Sequence, residues 1–436
     1  MAKNKLILIF PFLIIVLMAW MNINDSNKRD EEKLAKQQEL IEEADAYIQD
    51  GIFFRAEESL KAAKKLNVGD LDAIDQKLLI VYKGEEDTGK WANAIESRIK
   101  KETATDEEIN ELLTFYTDYE KYEKALNAAL SCLEHYPDNT AAMEIKEKVM
   151  YDYLYEEYKY SDIGTTGKYT AYCDEDGLWY IHNAKGTKND EGYEYAWTYS
   201  PNAEYAAISE SGKIYIIDSE HKKYALCHDE NMSVAFVDDS SAVLTKDGKY
   251  FISDYELEEY SEAYDYAGCE YEGVRACCRS GSWFFEGAKT DAQYEEIAVN
   301  EMGQAFVGGR AFVKTNGSYQ LIDKEGNSIG ADTYADACAF IEKDAPAAVM
   351  NSEGKWGFAD SEGNLVIPYQ FEEARSFSST VAAVKNSDGK WGYIDISGRQ
   401  VIPYQYIEAR SFIEDKAFAK GDAGWGIVEF RYYKYF

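Results

Sequence analysis

A repeat of about 35 residues near the C-terminus constrains the fold of this chain more than any other feature. One copy reads Gly-Lys-Trp-Gly-Phe at residues 354–358 and continues to Val-Ile-Pro at 366–368. The next reads Gly-Lys-Trp-Gly-Tyr at 389–393 and reaches Val-Ile-Pro at 401–403. A third begins at Gly424. Because a unit this short cannot bury both faces of a sheet, the copies must pack on one another.

The same unit continues towards the N-terminus in weaker form. An aromatic or aliphatic residue recurs every 33 to 37 residues, each time after a short apolar run. These positions are Trp179, Ile214, Tyr250, Trp283, Tyr319, Trp356, Trp391 and Trp425. A glycine follows directly in the last three copies, at Gly357, Gly392 and Gly426. We interpret these residues as structural: the large ring fills a gap between units, and glycine permits a close backbone approach.

Alternating apolar residues between Asp-Gly and Asn-Gly turns predict three or four short strands per unit. In the best copy the expected segments are 356–360, 365–368, 374–377 and 381–385. The acidic loops between strands are interpreted as hairpin turns and not as calcium sites. Seven full units follow one another, and Tyr169–Cys173 could pair with Trp425–Phe430 to close a ring. The prediction is an all-β domain over 165–436, a β-propeller of seven or eight blades, with an open β-solenoid as the alternative.

The motif Gly-Lys-Trp-Gly-aromatic followed by Val-Ile-Pro resembles the WG (KWG) repeat family. The match is fullest between residues 317 and 430, and earlier units lack the Trp-Gly pair. The resemblance implies a β-repeat interaction domain of a bacterial surface protein and implies no chemistry.

The preceding region, residues 25–164, reads as helices separated by polar turns. Each helical pair places an aromatic residue near a glycine or polar turn and a small residue three positions later. The predicted packing residues are Gly51, Phe53, Ala56, Trp91, Ala94, Tyr122, Ala125 and Pro137. This pattern resembles the tetratricopeptide repeat, which implies either a peptide-binding groove or a helical spacer. The tyrosine-rich stretch 150–161 is predicted to end the last helix, and the domain boundary is placed near residue 165.

Residues 1–24 contain an apolar run, Leu6–Met21, preceded by Lys3 and Lys5. Its length suits a signal anchor, a single transmembrane helix that keeps the basic end in the cytoplasm and the rest of the chain outside the cell. Secretion after cleavage of this segment is the alternative.

Composition narrows the class of function. Acidic residues outnumber basic ones 80 to 46, a net charge of −34, which disfavours nucleic acid and anionic lipid as ligands. The seven cysteines lack metal-site spacing and are expected to be buried. His221, Cys227 and His228 are close in sequence but lack a second ligand pair. We therefore expect no catalytic residue, no metal site and no cofactor.

The expected function is that of a non-enzymatic, membrane-anchored extracytoplasmic bacterial protein. Its β-repeat domain would bind a protein, a peptide or a cell-wall glycan. The alternatives are a structural spacer in the cell envelope and a propeller-type enzyme acting on cell-wall polysaccharide. The enzyme would need two carboxylates converging in one pocket.

Overall fold

The structure is a computed structural model that describes residues 28–164, 170–182, 192–197, 205–218, 220–227, 232–238, 241–254 and 259–433. The chain divides into two compact units, Met1–Met150 and Tyr151–Phe436. The predicted membrane anchor at 1–24 lies outside the described residues. No helix within the described part has both the length and the apolar character needed to cross a bilayer.

The first unit is helical, as predicted. Its helices are α1 (28–49), α2 (Phe53–Lys65), α3 (Leu71–Gly84), α4 (Thr88–Lys100), α5 (Asp106–Asp118), α6 (Tyr122–His135) and α7 (Thr140–Val149). Local sequence fixes several helix starts. Asp70 accepts hydrogen bonds from the free backbone amides of α3, and Thr105 and Glu108 form a capping box on α5. The apolar faces of successive helices meet in one core that includes Leu60, Ile74 and Leu112.

The predicted helix-packing residues have different environments. Ala56 and Ala125 are completely buried, and Trp91 is 5% exposed, with its ring edge-on to Phe115. Phe53 contacts Gly84, where an added Cβ would lie 2.3 Å from the phenyl ring. Ala94 and Tyr122 are half-buried, Gly51 adopts a positive φ in the turn before α2, and Pro137 is exposed in the turn after α6.

The second unit is built from short antiparallel strands, as predicted. In the described residues these form eight small sheets, named here sheet 1 to sheet 8 in chain order. Sheet 1 is β2 (Asp162–Ile163), β3 (Thr170–Cys173) and β4 (Trp179–His182). Sheet 2 is β5 (Tyr195–Trp197), β6 (Tyr205–Glu210), β7 (Lys213–Asp218) and β8 (Lys223–Cys227). Sheet 3 is β9 (Ser233–Val237), β10 (Ala242–Lys246) and β11 (Lys249–Ser253), and sheet 4 is β12 (Tyr266–Ala267), β13 (Arg275–Arg279) and β14 (Ser282–Glu286).

The later sheets have four strands each. Sheet 5 is β15 (Glu296–Ile297), β16 (Ala311–Thr315), β17 (Ser318–Ile322) and β18 (Ser328–Tyr334). Sheet 6 is β19 (Asp336–Ala337), β20 (Ala347–Met350), β21 (Trp356–Ala359) and β22 (Leu365–Phe371). Sheet 7 is β23 (Glu373–Ala374), β24 (Val381–Lys385), β25 (Trp391–Asp395) and β26 (Gln400–Tyr406). Sheet 8 combines β27 (Glu408–Ala409), β28 (Lys416–Lys420) and β29 (Trp425–Phe430) with β1 (Tyr153–Tyr160).

The Trp-Gly pair and the Val-Ile-Pro segment are two halves of one backbone irregularity. Trp356 pairs with Phe371 and Phe358 pairs with Ile367, so Gly357 faces a bulge formed by residues 368–370. A Cβ on Gly357 would lie 2.6 Å from the carbonyl oxygen of Ile367. Gly392 faces Ile402 in the same way at 2.7 Å. Glycine is therefore required because the bulged neighbour strand approaches too closely for a side chain.

Strand β1 corrects three sequence predictions. The stretch 150–161 is not the end of a helix: residues 153–160 pair with β29, and Gly426 faces Glu156 as Gly357 faces Ile367. β1 therefore supplies the fourth strand of the last repeat, and the compact units divide at residue 150 instead of near 165. The strand expected to pair with Trp425–Phe430 was Tyr169–Cys173, but β3 pairs with β2 and β4 in sheet 1.

Each sheet packs face to face on the next one. One apolar cluster, for example, joins Ala348 and Phe358 of sheet 6 to Ala382 and Ile394 of sheet 7. Another joins Phe418 and Trp425 of sheet 8 to Tyr172 of sheet 1. The Tyr160 and Tyr172 rings stack across that junction with centroids 4.1 Å apart. The last sheet therefore packs on the first, and apolar burial between neighbours stabilises the whole unit.

Replacement of Gly357 or Gly392 by alanine should lower the free energy of unfolding of the β unit by about 1–3 kcal/mol, because each new Cβ overlaps a backbone carbonyl. Chemical denaturation measures the change. Gly89→Ala is the control: Gly89 is exposed near the start of α4, its nearest contact would be 3.5 Å away, and alanine favours helix there. Equal stability of all three variants would contradict the role assigned to the bulge.

Candidate functional site

A cavity of about 200 Å³ lies where four successive sheets of the β unit come together. We name it the Trp356 pocket. The short first strands of sheets 5 to 8 and the residues after them bring equivalent positions of the repeat to one place. The lining residues are Val299, Asn300, Glu301, Cys338, Ala339, Ile341, Trp356, Glu373, Ala374, Arg375, Ser376, Trp391 and Ser411.

The repeat-signature residues occupy equivalent places, but only two of their rings line this pocket. Each aromatic position is at or near the start of the third strand in its sheet. Trp356 and Trp391 line the pocket, whereas Trp179, Tyr250, Trp283, Tyr319 and Trp425 belong to other parts of the β unit. Gly357, Gly392 and Gly426 hold the backbone bulges and present no side chain. The signature thus places two aromatic rings at one site and uses the others for packing.

Most signature rings are covered by a neighbouring cation or ring. The Arg375 guanidinium lies 5.3 Å from the Trp391 centroid, and the Arg410 guanidinium lies 5.6 Å from the Trp425 centroid. Lys314 covers Tyr319 at 5.3 Å. Tyr195 packs on Trp179 at 4.5 Å, and Tyr266 packs on both Tyr250 and Trp283 at 5.1 and 5.0 Å.

Trp356 differs from these rings. No cation and no aromatic ring covers it among the described residues, and it is only half-buried, whereas Trp391 and Trp425 are 4% and 6% exposed. One cause is a substitution within the repeat. Cys338 occupies the position that Arg375 and Arg410 occupy in the next two units. Nε of Arg375 donates to the Ala409 carbonyl at 2.7 Å, and the Cys338 thiol contacts the equivalent carbonyl of Ala374 at 3.8 Å.

Sheet 6, which contains Trp356, also lacks a second cation that the neighbouring sheets have. In sheets 5, 7 and 8 the acidic residue of the first strand faces a lysine across the ladder: Glu296 and Lys314, Glu373 and Lys385, Glu408 and Lys420. In sheet 6 the equivalent Asp336 faces Met350. Within the described part of the chain Asp336 forms no ion pair. Its Oδ1 accepts a hydrogen bond from the backbone amide of Ala337 at 2.8 Å.

The charged residues that line the pocket all form ion pairs. Nη1 of Arg375 lies 2.5 Å from Oε1 of Glu301, and its Nη2 lies 3.7 Å from Oε1 of Glu408. Glu373 pairs with Lys385 at 2.7 Å. Burial, with a smaller contribution from the Asp336 charge, raises the pKa of the Cys338 thiol to about 12, so this residue is neutral at physiological pH.

One buried hydroxyl in the pocket has no hydrogen-bond partner among the described residues. Ser411 is 3% exposed, and its Oγ forms no hydrogen bond within the described part of the chain. The equivalent Ser376 does have one, because its Oγ accepts from the backbone amide of Ala348 at 3.1 Å. A buried hydroxyl without a partner is energetically costly, so Ser411 marks a position where a bound group would gain a hydrogen bond.

The helical unit contains a larger and more open cleft of about 850 Å³ between α3, α4 and α5. Aromatic residues line it together with Lys83 and Glu111; the aromatic members are Tyr82, Trp91, Phe115 and Tyr119. Tyr119 is 65% exposed. This is the surface on which the predicted peptide groove would lie.

The cysteines other than Cys338 and the described histidines do not line the Trp356 pocket. Six of the seven cysteines are buried and Cys338 is half-buried, and all are free thiols. Nδ1 of His221 contacts the Tyr193 hydroxyl at 3.2 Å, and burial lowers its pKa. His228 lies outside the described residues. No group of three metal-ligating side chains occurs among those the structure describes. Asp323 and Asp360 accept backbone amides within their own turns, which confirms the predicted turn chemistry.

The sequence reasoning missed Glu301, Asp336, Cys338, Arg375 and Ser411. A comparison of the repeat copies could have pointed to some of these residues. Residues 373–377 and 408–412 repeat the order Glu-Ala-Arg-Ser-Phe, and the preceding copy at 336–340 reads Asp-Ala-Cys-Ala-Phe. Comparing the copies shows that a cation is absent, but only the structure shows that this position faces a tryptophan ring.

Arg375→Lys should lower the free energy of unfolding of the β unit by about 1–2 kcal/mol, since lysine cannot keep the bond to the Ala409 carbonyl while lying flat on Trp391. Denaturation followed by tryptophan fluorescence tests this. The matched control is Arg279→Lys, because Arg279 is 44% exposed while it covers Tyr264. A loss as large in the control would show that the Arg375 contacts are not special.

A search of curated protein sequences found no match. Several solved structures resemble the chain at 11–13% identity and TM-scores below 0.5. The computationally designed Ika8 protein is 11% identical, with a TM-score of 0.43 over 63% of this chain and 97% of its own. A eukaryotic initiation factor is 13% identical, with a TM-score of 0.40 over 58% and 77%. PorZ, a surface component of the type-IX secretion system of Porphyromonas gingivalis, is 12% identical, with a TM-score of 0.32 over 62% and 42%.

The family comparison gives a more definite result. Two consecutive stretches, residues 356–391 and 391–425, match the WG containing repeat. Their limits coincide with the signature tryptophans, and the matched region spans sheets 6 to 8 around the Trp356 pocket. The C-terminal part of this chain therefore carries WG containing repeats.

Proposed function

We propose that the β unit is an eight-bladed propeller that binds a partner through the Trp356 pocket without catalysing a reaction. The ring is supported by the order of the sheets. Each sheet packs on its successor, sheet 8 packs on sheet 1, and β1 completes the last sheet with a strand from the start of the unit. A closed ring leaves no sheet face exposed at either end and protects the strand edges.

The observation that carries the binding function is the uncovered face of Trp356 in a pocket formed by four sheets. Aromatic rings and a few polar groups in a preformed concave site are typical of ligand recognition. The charged residues that line the pocket are paired within the protein, and side chains already fixed in this way lose less entropy on binding. Its two carboxylates, Glu301 and Glu373, are both engaged by cations. This arrangement favours a fixed binding surface over an acid and base that act on a substrate.

The remaining parts of the proposal come from the sequence. The apolar segment at 6–21 anchors the protein in the cell membrane, and the two compact units lie outside the cytoplasm. The helical unit then acts as a spacer or as a second binding surface through the cleft at Tyr119. The ligand of the β unit is a protein, a peptide or a cell-wall glycan.

Capture of the full-length chain from bacterial envelopes after chemical cross-linking tests this proposal. We expect a reproducible partner that Trp356→Ala loses and Tyr119→Ala retains. A melting temperature near that of the unchanged protein shows that Trp356→Ala is folded. Loss only with Tyr119→Ala would assign binding to the helical cleft. No partner with any of the three proteins would favour a structural spacer, and recovery in the cytoplasmic fraction would refute the anchored location.

A further inference from the structure

We infer that the Trp356 pocket binds an organic cation, namely the ammonium or guanidinium group of a lysine or arginine side chain presented by a partner polypeptide. This inference rests on the proposed binding function and specifies its ligand. In the two following repeats the protein supplies that cation itself, because Arg375 covers Trp391 and Arg410 covers Trp425. In the Trp356 repeat Cys338 is too short to do so.

The charges around the position favour a cation from outside. Asp336 does not itself line the pocket, but Met350 pairs with both Asp336 and Trp356, so the three residues share one row of sheet 6. Asp336 faces Met350 where the other sheets have a lysine, and it forms no ion pair within the described residues. Arg375 does not oppose such a ligand strongly, since Glu301 and Glu408 both pair with it. The net charge of −34 attracts positively charged partners at long range.

The shape and polarity of the site agree with this ligand class. A cavity of about 200 Å³ accommodates one long side chain but not a folded domain or a chain of sugars. The face of Trp356 offers a cation–π contact, and the unpartnered Oγ of Ser411 offers a hydrogen-bond acceptor to an N–H donor. A neutral sugar ring would use the aromatic face but would gain nothing from Asp336.

Calorimetric titration of the full-length protein with Nα-acetyl-lysine amide and Nα-acetyl-arginine amide tests the inference. Single side chains should bind with a Kd of roughly 1 mM or weaker. The neutral analogue, Nα,Nε-diacetyl-lysine amide, should bind at least about tenfold more weakly, and affinity should fall as salt is added. A preference for one of the two cationic probes shows whether the partner presents a lysine or an arginine side chain.

Two variants make the test specific. Cys338→Arg restores the residue found at 375 and 410, so it should fill the site from within and abolish binding. Asp336→Asn should weaken binding about two- to fivefold. Glu353→Gln, which removes the same charge from an exposed turn of the same repeat, should change nothing. If Cys338→Arg does not fold, the comparison of Asp336→Asn with Glu353→Gln still tests the inference.

Equal binding of the charged and neutral probes, no binding of any probe, or full binding by Cys338→Arg would overturn the inference. These outcomes can be separated from failure of the binding function itself. A partner that is captured and depends on Trp356, yet shows no competition from either cationic probe, leaves the binding function intact and rejects only the ligand class.

Discussion

Face-to-face packing between successive small sheets is the interaction on which the β unit depends. A sheet of three or four short strands exposes two apolar faces, and neither can be buried within one repeat. The clusters that join neighbouring sheets are rich in alanine and in aromatic residues, so backbones approach closely while rings fill the remaining gaps. Because sheet 8 packs on sheet 1, the first sheet and the last are buried like the others.

The repeat signature follows from that packing. A large ring at the start of the third strand reaches past its own sheet, and the glycine after it accommodates the bulged fourth strand. The same geometry recurs at Gly426, although its partner β1 comes from the opposite end of the unit and lacks the Val-Ile-Pro sequence. The glycine is therefore required by the close approach of the neighbouring strand, and that strand need not carry the Val-Ile-Pro sequence.

The candidate site lies in the repeat whose sequence at 336–340 differs from the Glu-Ala-Arg-Ser-Phe of the next two repeats. Arg375 and Arg410 each cover a tryptophan ring with a charge, and Arg375 also donates a hydrogen bond to a carbonyl of the next repeat. Cys338 keeps the contact with the carbonyl of the next repeat but supplies no charge. The fold persists because packing around Phe358 and Ala348 does not depend on that cation. Among the described residues, the face of Trp356 remains uncovered and Asp336 remains without an ion pair.

The sequence by itself determined the helical region, the β region, the turns and the equivalence of the signature positions, because each depends on short-range periodicity and turn chemistry. It misassigned residues 153–160, since a strand that pairs with a partner more than 260 residues away carries no local signal of that pairing. It also missed the pocket. Only the tertiary structure decided which of the similar rings is uncovered, because that depends on residues from four sheets meeting at one point.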